Sequence, residues 1–219
     1  MDELTLPEDG NTLHLGDFAN ASKLVVLPGE LSRKAADLAL HLSDLRLALN
    51  ILEAMNGLNA PDFVHEALWQ SAVMTFMKCF TSGVRASAKL DPPTIYADRP
   101  PEALMNWEFF KGLRDKNLAH DVNAYSRCLP VAVLNHATSK RKIETVRCIS
   151  HRFSVLSSDS YNNLKLICEH AVKWTKMEFD RAMKQLQDDF EEMSYDELAA
   201  LPTPSVTAPD AAAMRQRRT

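Results

Sequence analysis

Trp107-Glu108-Phe109-Phe110-Lys111-Gly112-Leu113-Arg114-Asp115-Lys116-Asn117-Leu118-Ala119-His120-Asp121 is the stretch that decides the fold. Placed at ~100° per residue, Leu104, Met105, Trp107, Phe109, Phe110, Leu113 and Leu118 cover most of the circumference of a helix. A helix apolar all round is expected to be buried, with neighbours on more than one side. The same helix carries Arg114, Asn117 and His120 on an i, i+3, i+6 ribbon, where successive members are neighbours. Charged groups in a buried setting are paired or put to chemical use. The stretch therefore predicts a helical bundle with polar chemistry on its central helix.

Upstream, Leu38, Leu42, Leu45, Leu49 and Leu52 are spaced 4-3-4-3, with Ser32 as N-cap and Asn56-Gly57 as the stop. A second helix is expected to begin near Pro61 and to run through Val64, Leu68, Ala72, Phe76 and Phe80 to about Ala88. The short connection argues for an antiparallel pair. Asp91-Pro92-Pro93 reads as a break, and Pro100-Pro101 as the opening of the motif helix. Downstream, Leu129, Val131 and Val133 alternate, with Pro130 confining that strand to an edge. A polar stretch, Ala137 to Lys142, leads to a second strand-like run with Val146, Ile149, Phe153 and Val155, so the pair reads as a β-hairpin over about 127–156. Ser157 to Ser160 offer caps for the longest helix, about Asp159 to Met193, in which Phe179, Met183, Leu186, Phe190 and Met193 again repeat 4-3-4-3. The expected fold is mainly α: about four long helices, with a hairpin inserted before the last.

At the ends the texture differs. Residues 1–30 hold short apolar pieces broken by Pro7, Gly10, Gly16 and Pro28, and Leu24 to Leu27 reads as a short strand. The domain proper is expected over 31–200. Residues 201–219, with Pro202, Pro204, Pro209, Arg215, Arg217 and Arg218, read as a disordered basic tail.

Composition excludes several function classes. A chain of 219 residues, 46% hydrophobic and 25% charged, can bury a real core. The net charge of −4 gives no global basic footprint of the duplex-binding kind, so contact with nucleic acid must rest on a local patch. No apolar run reaches membrane-spanning length. The acidic start, Met1-Asp2-Glu3, lacks the character of a secretory signal, and Cys79, Cys128, Cys148 and Cys168 form no Cys-x-x-Cys pair. The expectation is a cytosolic protein with free thiols and no membrane partner.

Long helices with Arg and His a few residues apart, and a polar residue directly after the Arg, resemble the HEPN superfamily. The signature positions are Arg114, Asp115 and His120. The wording Leu113 to Asp121 is also similar to HEPN-like proteins of bacterial abortive-infection systems. The resemblance spans roughly 32–193, and its specific part is this short motif. It implies a HEPN-like bundle, a homodimer in which two motif helices meet, and RNA cleavage without a metal or other cofactor. It also brings an antitoxin or regulatory protein into view as a partner.

The residue types suit that chemistry. Histidine gives and takes protons near neutrality. Arginine stays cationic and holds phosphate oxygens with a planar fork. The two suffice for attack of a ribose 2′-hydroxyl on its own phosphate, with His120 moving the proton and Arg114 meeting the charge that builds on oxygen. Need for a 2′-hydroxyl excludes DNA as substrate. Asp115 would orient the pair by accepting from Arg114, and Lys116 and Asn117 would contact RNA beside them. On a straight helix, positions six apart differ by ~240° in azimuth, so one chain alone does not converge the pair and two copies across a twofold would. A purely structural reading stands beside this one: His120 against the helix dipole, Arg114 paired with Glu108 or Asp121.

Lys140, Arg141, Lys142, Arg147, His151 and Arg152 concentrate positive charge on the hairpin, as an RNA-tracking ramp or as a solvated tip. Cys148 and His151 have metal-ligand spacing, with Cys128 on the neighbouring strand, but no second pair completes a zinc set, and no metal is expected. His41, His65 and His170 read as satisfied helix residues, and Trp69, Trp107 and Trp174 as core anchors. Two function classes remain: a metal-independent endoribonuclease of HEPN type, a toxin or phage-defence effector, or a non-catalytic helical module that dimerises or holds a partner.

Overall fold

The first long helix turns its leucine stripe inward. In the computed structural model, which describes residues 20–81, 85–120 and 126–205, α1 (Glu30–Met55) buries Leu38, Leu42, Leu45, Ala48 and Leu52. It starts two residues before the expected cap. Gly29 takes φ +111°, and Ser32 lies inside the first turn with its hydroxyl donating to the Pro28 carbonyl (3.1 Å). The helix ends at Met55, just before Asn56-Gly57 where the sequence places its stop, and Gly57 takes φ +85°.

α2 (Asp62–Lys78) follows and buries Trp69, Ala72, Val73, Phe76 and Met77. It stops ten residues short of the expected Ala88. Cys79 to Thr81 turn back onto the last carbonyls of the helix, and among the described residues up to Ala88 the one further helical piece is a 3₁₀ turn, Ala86–Ala88. Asp91-Pro92-Pro93 is not a simple break. Asp91 caps a short helix, α3 (Pro92–Ile95), by accepting from the Thr94 amide (3.2 Å) and hydroxyl (2.6 Å).

The motif helix α4 (Pro101–Leu113) opens at Pro101, as expected, with its proline in the first turn. Trp69 meets Phe110 edge-on at 5.8 Å and Phe80 meets Trp107 at 5.7 Å, so α4 packs against α2 and against the turn that follows it. Phe110 and Leu113 are buried, but Met105 is 65% and Phe109 45% exposed. The helix is therefore not buried all round within one chain. One face packs, and an apolar stripe is left outside.

β1 (Ser126–Leu134) and β2 (Ile143–Arg152) form a two-stranded antiparallel hairpin, in the expected place. Pro130 sits opposite Cys148, and every strand of such a sheet is an edge. The turn is closed by Asn135, whose amide N–H donates to the Lys142 carbonyl (2.9 Å) and whose side chain donates to the Arg141 carbonyl and to Glu144, each at 3.0 Å.

α5 (Ser158–Glu191) begins at a Ser157 cap, whose hydroxyl accepts from the Ser160 amide (3.1 Å). Of its expected stripe, Phe179 and Leu186 are buried whereas Met183 is exposed. A further helix, α6 (Tyr195–Ala200), follows a capping box made by Ser194 and Glu197. The run Leu24 to Leu27 forms no strand. Its tie is one bond, from the Val26 amide to the Pro202 carbonyl (2.8 Å), and one bond is not a ladder. The expected tail beyond residue 205 and the pieces before residue 20 lie outside the described residues.

The described residues group into two compact units, one within 1–38, 82–88 and 178–219, the other within 39–81 and 89–177. The second holds α2, α3, α4, the hairpin, and parts of α1 and α5. Within it, the Tyr161 hydroxyl donates to the Leu52 carbonyl (2.9 Å), the Cys168 thiol to the Leu45 carbonyl (3.4 Å), and the Tyr96 hydroxyl to the Ile167 carbonyl (3.1 Å). Burial pushes the Cys168 thiol and the Tyr96 phenol well above their ordinary ranges, so both stay protonated as donors. The result is a mainly α chain carrying a small antiparallel hairpin.

Candidate functional site

The motif does not continue α4 as an ordinary helix. Residues Arg114–Leu118 form one turn of π-helix, and the Ala119 amide donates to the Arg114 carbonyl at 2.9 Å, five residues back. In an α-helix that bond reaches four residues back. The wider turn packs against α2. Single π turns occur frequently at functional sites. The ~240° separation that a straight α-helix imposes on Arg114 and His120 therefore does not apply here.

Arg114 is half-buried and donates through Nη1 to Asp115 Oδ1 at 2.6 Å. A guanidinium has five N–H donors, so this bond fixes the group and leaves others for a ligand. The pairing with Glu108 considered from sequence does not occur; Arg114 takes its immediate neighbour, and Asp121 lies outside the described residues. Lys116 and His120 are exposed, and Asn117 is half-buried on the turn. Arg114, Asp115, Lys116 and Asn117 thus share one turn, and His120 follows it on the surface.

The hairpin residues are spread out instead. Lys140, Arg141 and Lys142 are exposed at the tip. Arg147 lies midway along β2, and Arg152 pairs with Ser126 at the base. At ~3.3 Å per residue, base and tip are about 26 Å apart. Arg127, Leu129, Val131 and Val133 share a face with Thr145, Arg147, Ile149 and His151, while Cys128, Pro130 and Ala132 share the other with Val146, Cys148 and Ser150. Cys148 and His151 are three apart on one strand and so lie on opposite faces. That geometry removes the metal-ligand reading of their spacing. Among the described residues no group of three or more His, Cys, Asp or Glu is arranged to hold a metal.

The set-aside histidines have partners. His65 Nε2 lies 3.1 Å from the Leu58 carbonyl, and His170 Nε2 lies 2.7 Å from the Ile95 carbonyl and 3.4 Å from Asp98. The sequence reading missed a cleft of about 690 Å³ lined by His65 of α2 and by Tyr161 and Lys165 of α5. Its residues come from separated elements, each unremarkable on its own helix, so no spacing in the sequence pointed to it. No described helix is long and apolar enough to cross a membrane.

No protein-family model, no curated protein and no solved structure matches this chain.

Proposed function

We propose that the protein is a metal-independent endoribonuclease of HEPN type that cleaves RNA by 2′-hydroxyl transesterification and acts as a symmetric homodimer. The observation that carries this reading is the π turn. It begins at Arg114 and holds Asp115, Lys116 and Asn117, the polar part of the motif, on one widened turn ahead of His120. The Arg114–Asp115 bond supports the same reading, since it fixes the cation that must meet a phosphate.

In the reaction the 2′-oxygen bonds to phosphorus and the bond to the 5′-oxygen breaks. One imidazole takes the 2′-hydroxyl proton as the other partner's acid supplies a proton to the leaving 5′-oxygen. Arg114 meets the charge on the non-bridging oxygens. A toxin or phage-defence role, with an antitoxin or regulatory protein restraining the nuclease, accords with such chemistry. The exposed stripe Met105 and Phe109 on α4 favours pairing through the motif helix, and the same stripe would serve the second reading, a non-catalytic dimerisation or partner-binding module.

The test is cleavage of structured RNA in EDTA. Products should carry a 2′,3′-cyclic phosphate and a 5′-hydroxyl. Arg114→Ala and His120→Ala should each reduce the rate by at least ~100-fold, in the range of lost acid–base or electrostatic catalysis, with helicity unchanged by circular dichroism. Cleavage that survives in both variants would remove the assignment and leave the binding module.

A further inference from the structure

The cleft at the start of α5 is an unassigned site, and its construction specifies a ligand. It lies among the C-terminal end of α1, the first turn of α2 and the first two turns of α5. Ser158, Tyr161, Asn162 and Lys165 line it at i, i+3, i+4 and i+7, one continuous face of α5. Its volume falls in the range of small-molecule sites.

Three features converge. The first is charge. The chain carries 29 acidic and 25 basic residues, yet no carboxylate lines the cleft while Lys165 and His65 do. Lys165 is half-buried, and its closest acid, Glu169, stands 3.9 Å away at the outer limit of a pair. The second is a pair of rings fixed by their polar tips. Tyr161 donates its hydroxyl to the Leu52 carbonyl (2.9 Å), and His65 Nε2 lies 3.1 Å from the Leu58 carbonyl. Rings tied at their polar tips in this way need little further ordering on binding, which suits the stacking of an unpaired base. The third is length. Seven residues of helix separate Ser158 from Lys165, about 10 Å along the axis, longer than a single phosphate needs.

We infer that this cleft binds one unpaired nucleotide of an RNA strand, with its phosphate on the Lys165 ammonium and its base against the Tyr161 and His65 rings. The inference rests on the ribonuclease reading above and deepens it, making the cleft a substrate subsite. Phe110 of α4 packs on Trp69, midway along α2, and the π turn that follows also packs against α2, the helix whose first turn lines the cleft. Ser158 stands at the first turn of a 34-residue helix, whose positive end adds to the attraction.

The experiment uses the full chain and a fluorescein-labelled single-stranded 12-mer RNA with every 2′-hydroxyl methylated, so that it binds but cannot be cleaved. Fluorescence anisotropy is read across a salt series. Lys165→Glu should weaken binding at least tenfold, and Lys165→Ala should reduce the salt slope by about 0.7, the loss of one phosphate contact on a single strand. Lys165→Arg should restore wild-type affinity. Ser158→Glu should weaken binding while leaving the fold intact, because an acid in the first turn favours the helix. Lys173→Glu, an exposed α5 position away from the cleft, is the control for net charge. Equal losses for Lys165→Glu and Lys173→Glu, or wild-type binding by Lys165→Glu, would overturn the subsite while leaving the ribonuclease reading in place. Failure of the wild-type chain to bind the 12-mer at 50 mM salt would overturn both. With cleavable RNA, Lys165→Glu should raise KM and leave kcat within twofold.

Discussion

Cys128 and Cys148 show how far one residue's chemistry depends on its cross-strand neighbour. Both are exposed on the hairpin, and the register puts them on one face, diagonal to each other, with the Ser150 hydroxyl donating to Cys128 at 3.4 Å. The hydrogen bond with Cys128 is the main cause that raises the Cys148 thiol above its ordinary value. A raised value means less thiolate at a given pH, and thiolate is the nucleophile. Iodoacetamide at pH 8 should therefore alkylate Cys148 several-fold more slowly in the wild-type chain than in Cys128→Ala. Equal rates by peptide mass mapping would show that the neighbour has no such effect. The sequence made both thiols visible and their free state legible, but not their contact, because a diagonal pair depends on strand register. The motif divides the same way. Arg114, Asp115 and His120 could be singled out from residue type and order, and a bond from Arg114 to Asp115 stood among the expectations beside pairing with Glu108 or Asp121; that Arg114 takes Asp115 rather than Glu108 is decided by rotamer and turn geometry.

At the scale of elements, what repeats was legible and what is local was not. The 4-3-4-3 stripe of α1 follows from the period of the helix, and burial of Leu38, Leu42, Leu45 and Leu52 accords with it, whereas α5 buries Phe179 and Leu186 of its stripe and leaves Met183 exposed. The end of α2 was misplaced because apolar residues continue past Lys78 while the backbone turns. The run Leu24 to Leu27 looked like a strand because its side chains suit one, but a strand also needs a partner ladder. α6 was missed although Ser194 and Glu197 spell a capping box. Hydrogen bonds from Ser194 hold the Glu197 carboxylate below its usual 4.5. A carboxyl lowered in the folded state stabilises above its unfolded value and loses that contribution as pH falls through the folded one. The protection of the Leu198 amide, its exchange rate relative to the intrinsic rate at the same pH, should therefore fall below about pH 4.5, and Glu197→Gln should flatten that dependence. A pH-independent protection factor in the wild type would remove the role of the box. The π turn was beyond a sequence reading, since a 3.6-residue pattern cannot reveal one extra residue in a turn. Deletion of Lys116, whose side chain is exposed, removes that residue and allows α4 to run on with four-residue bonds. The expected outcome is unchanged thermal stability with RNA cleavage reduced to the level of Arg114→Ala. Full activity in the deletion would separate the π turn from function.

For the whole molecule, the decisive feature is apolar surface that a single chain does not cover. Met105 and Phe109 stand one turn apart on α4, on the helix that leads into the motif. Two copies joined across a twofold axis along this face would cover the stripe and bring two motifs together, and a closed symmetric pair is the commonest way to bury such a surface. The competing surface is on α5, where Leu166 is 62% exposed. The two choices predict different variants. Met105→Glu together with Phe109→Glu should convert the dimer to a monomer by size-exclusion chromatography with light scattering, because unpaired charge in an apolar interface is strongly unfavourable. Both positions are already exposed in the single chain, so its melting temperature should fall only by the loss of subunit binding. RNA cleavage should disappear with the dimer and return in no monomeric fraction. Leu166→Glu should leave both dimer and cleavage unchanged. If the α4 double variant remains a dimer and Leu166→Glu does not, the copies join through α5, two motifs do not share a cleft, and the binding-module reading replaces the nuclease.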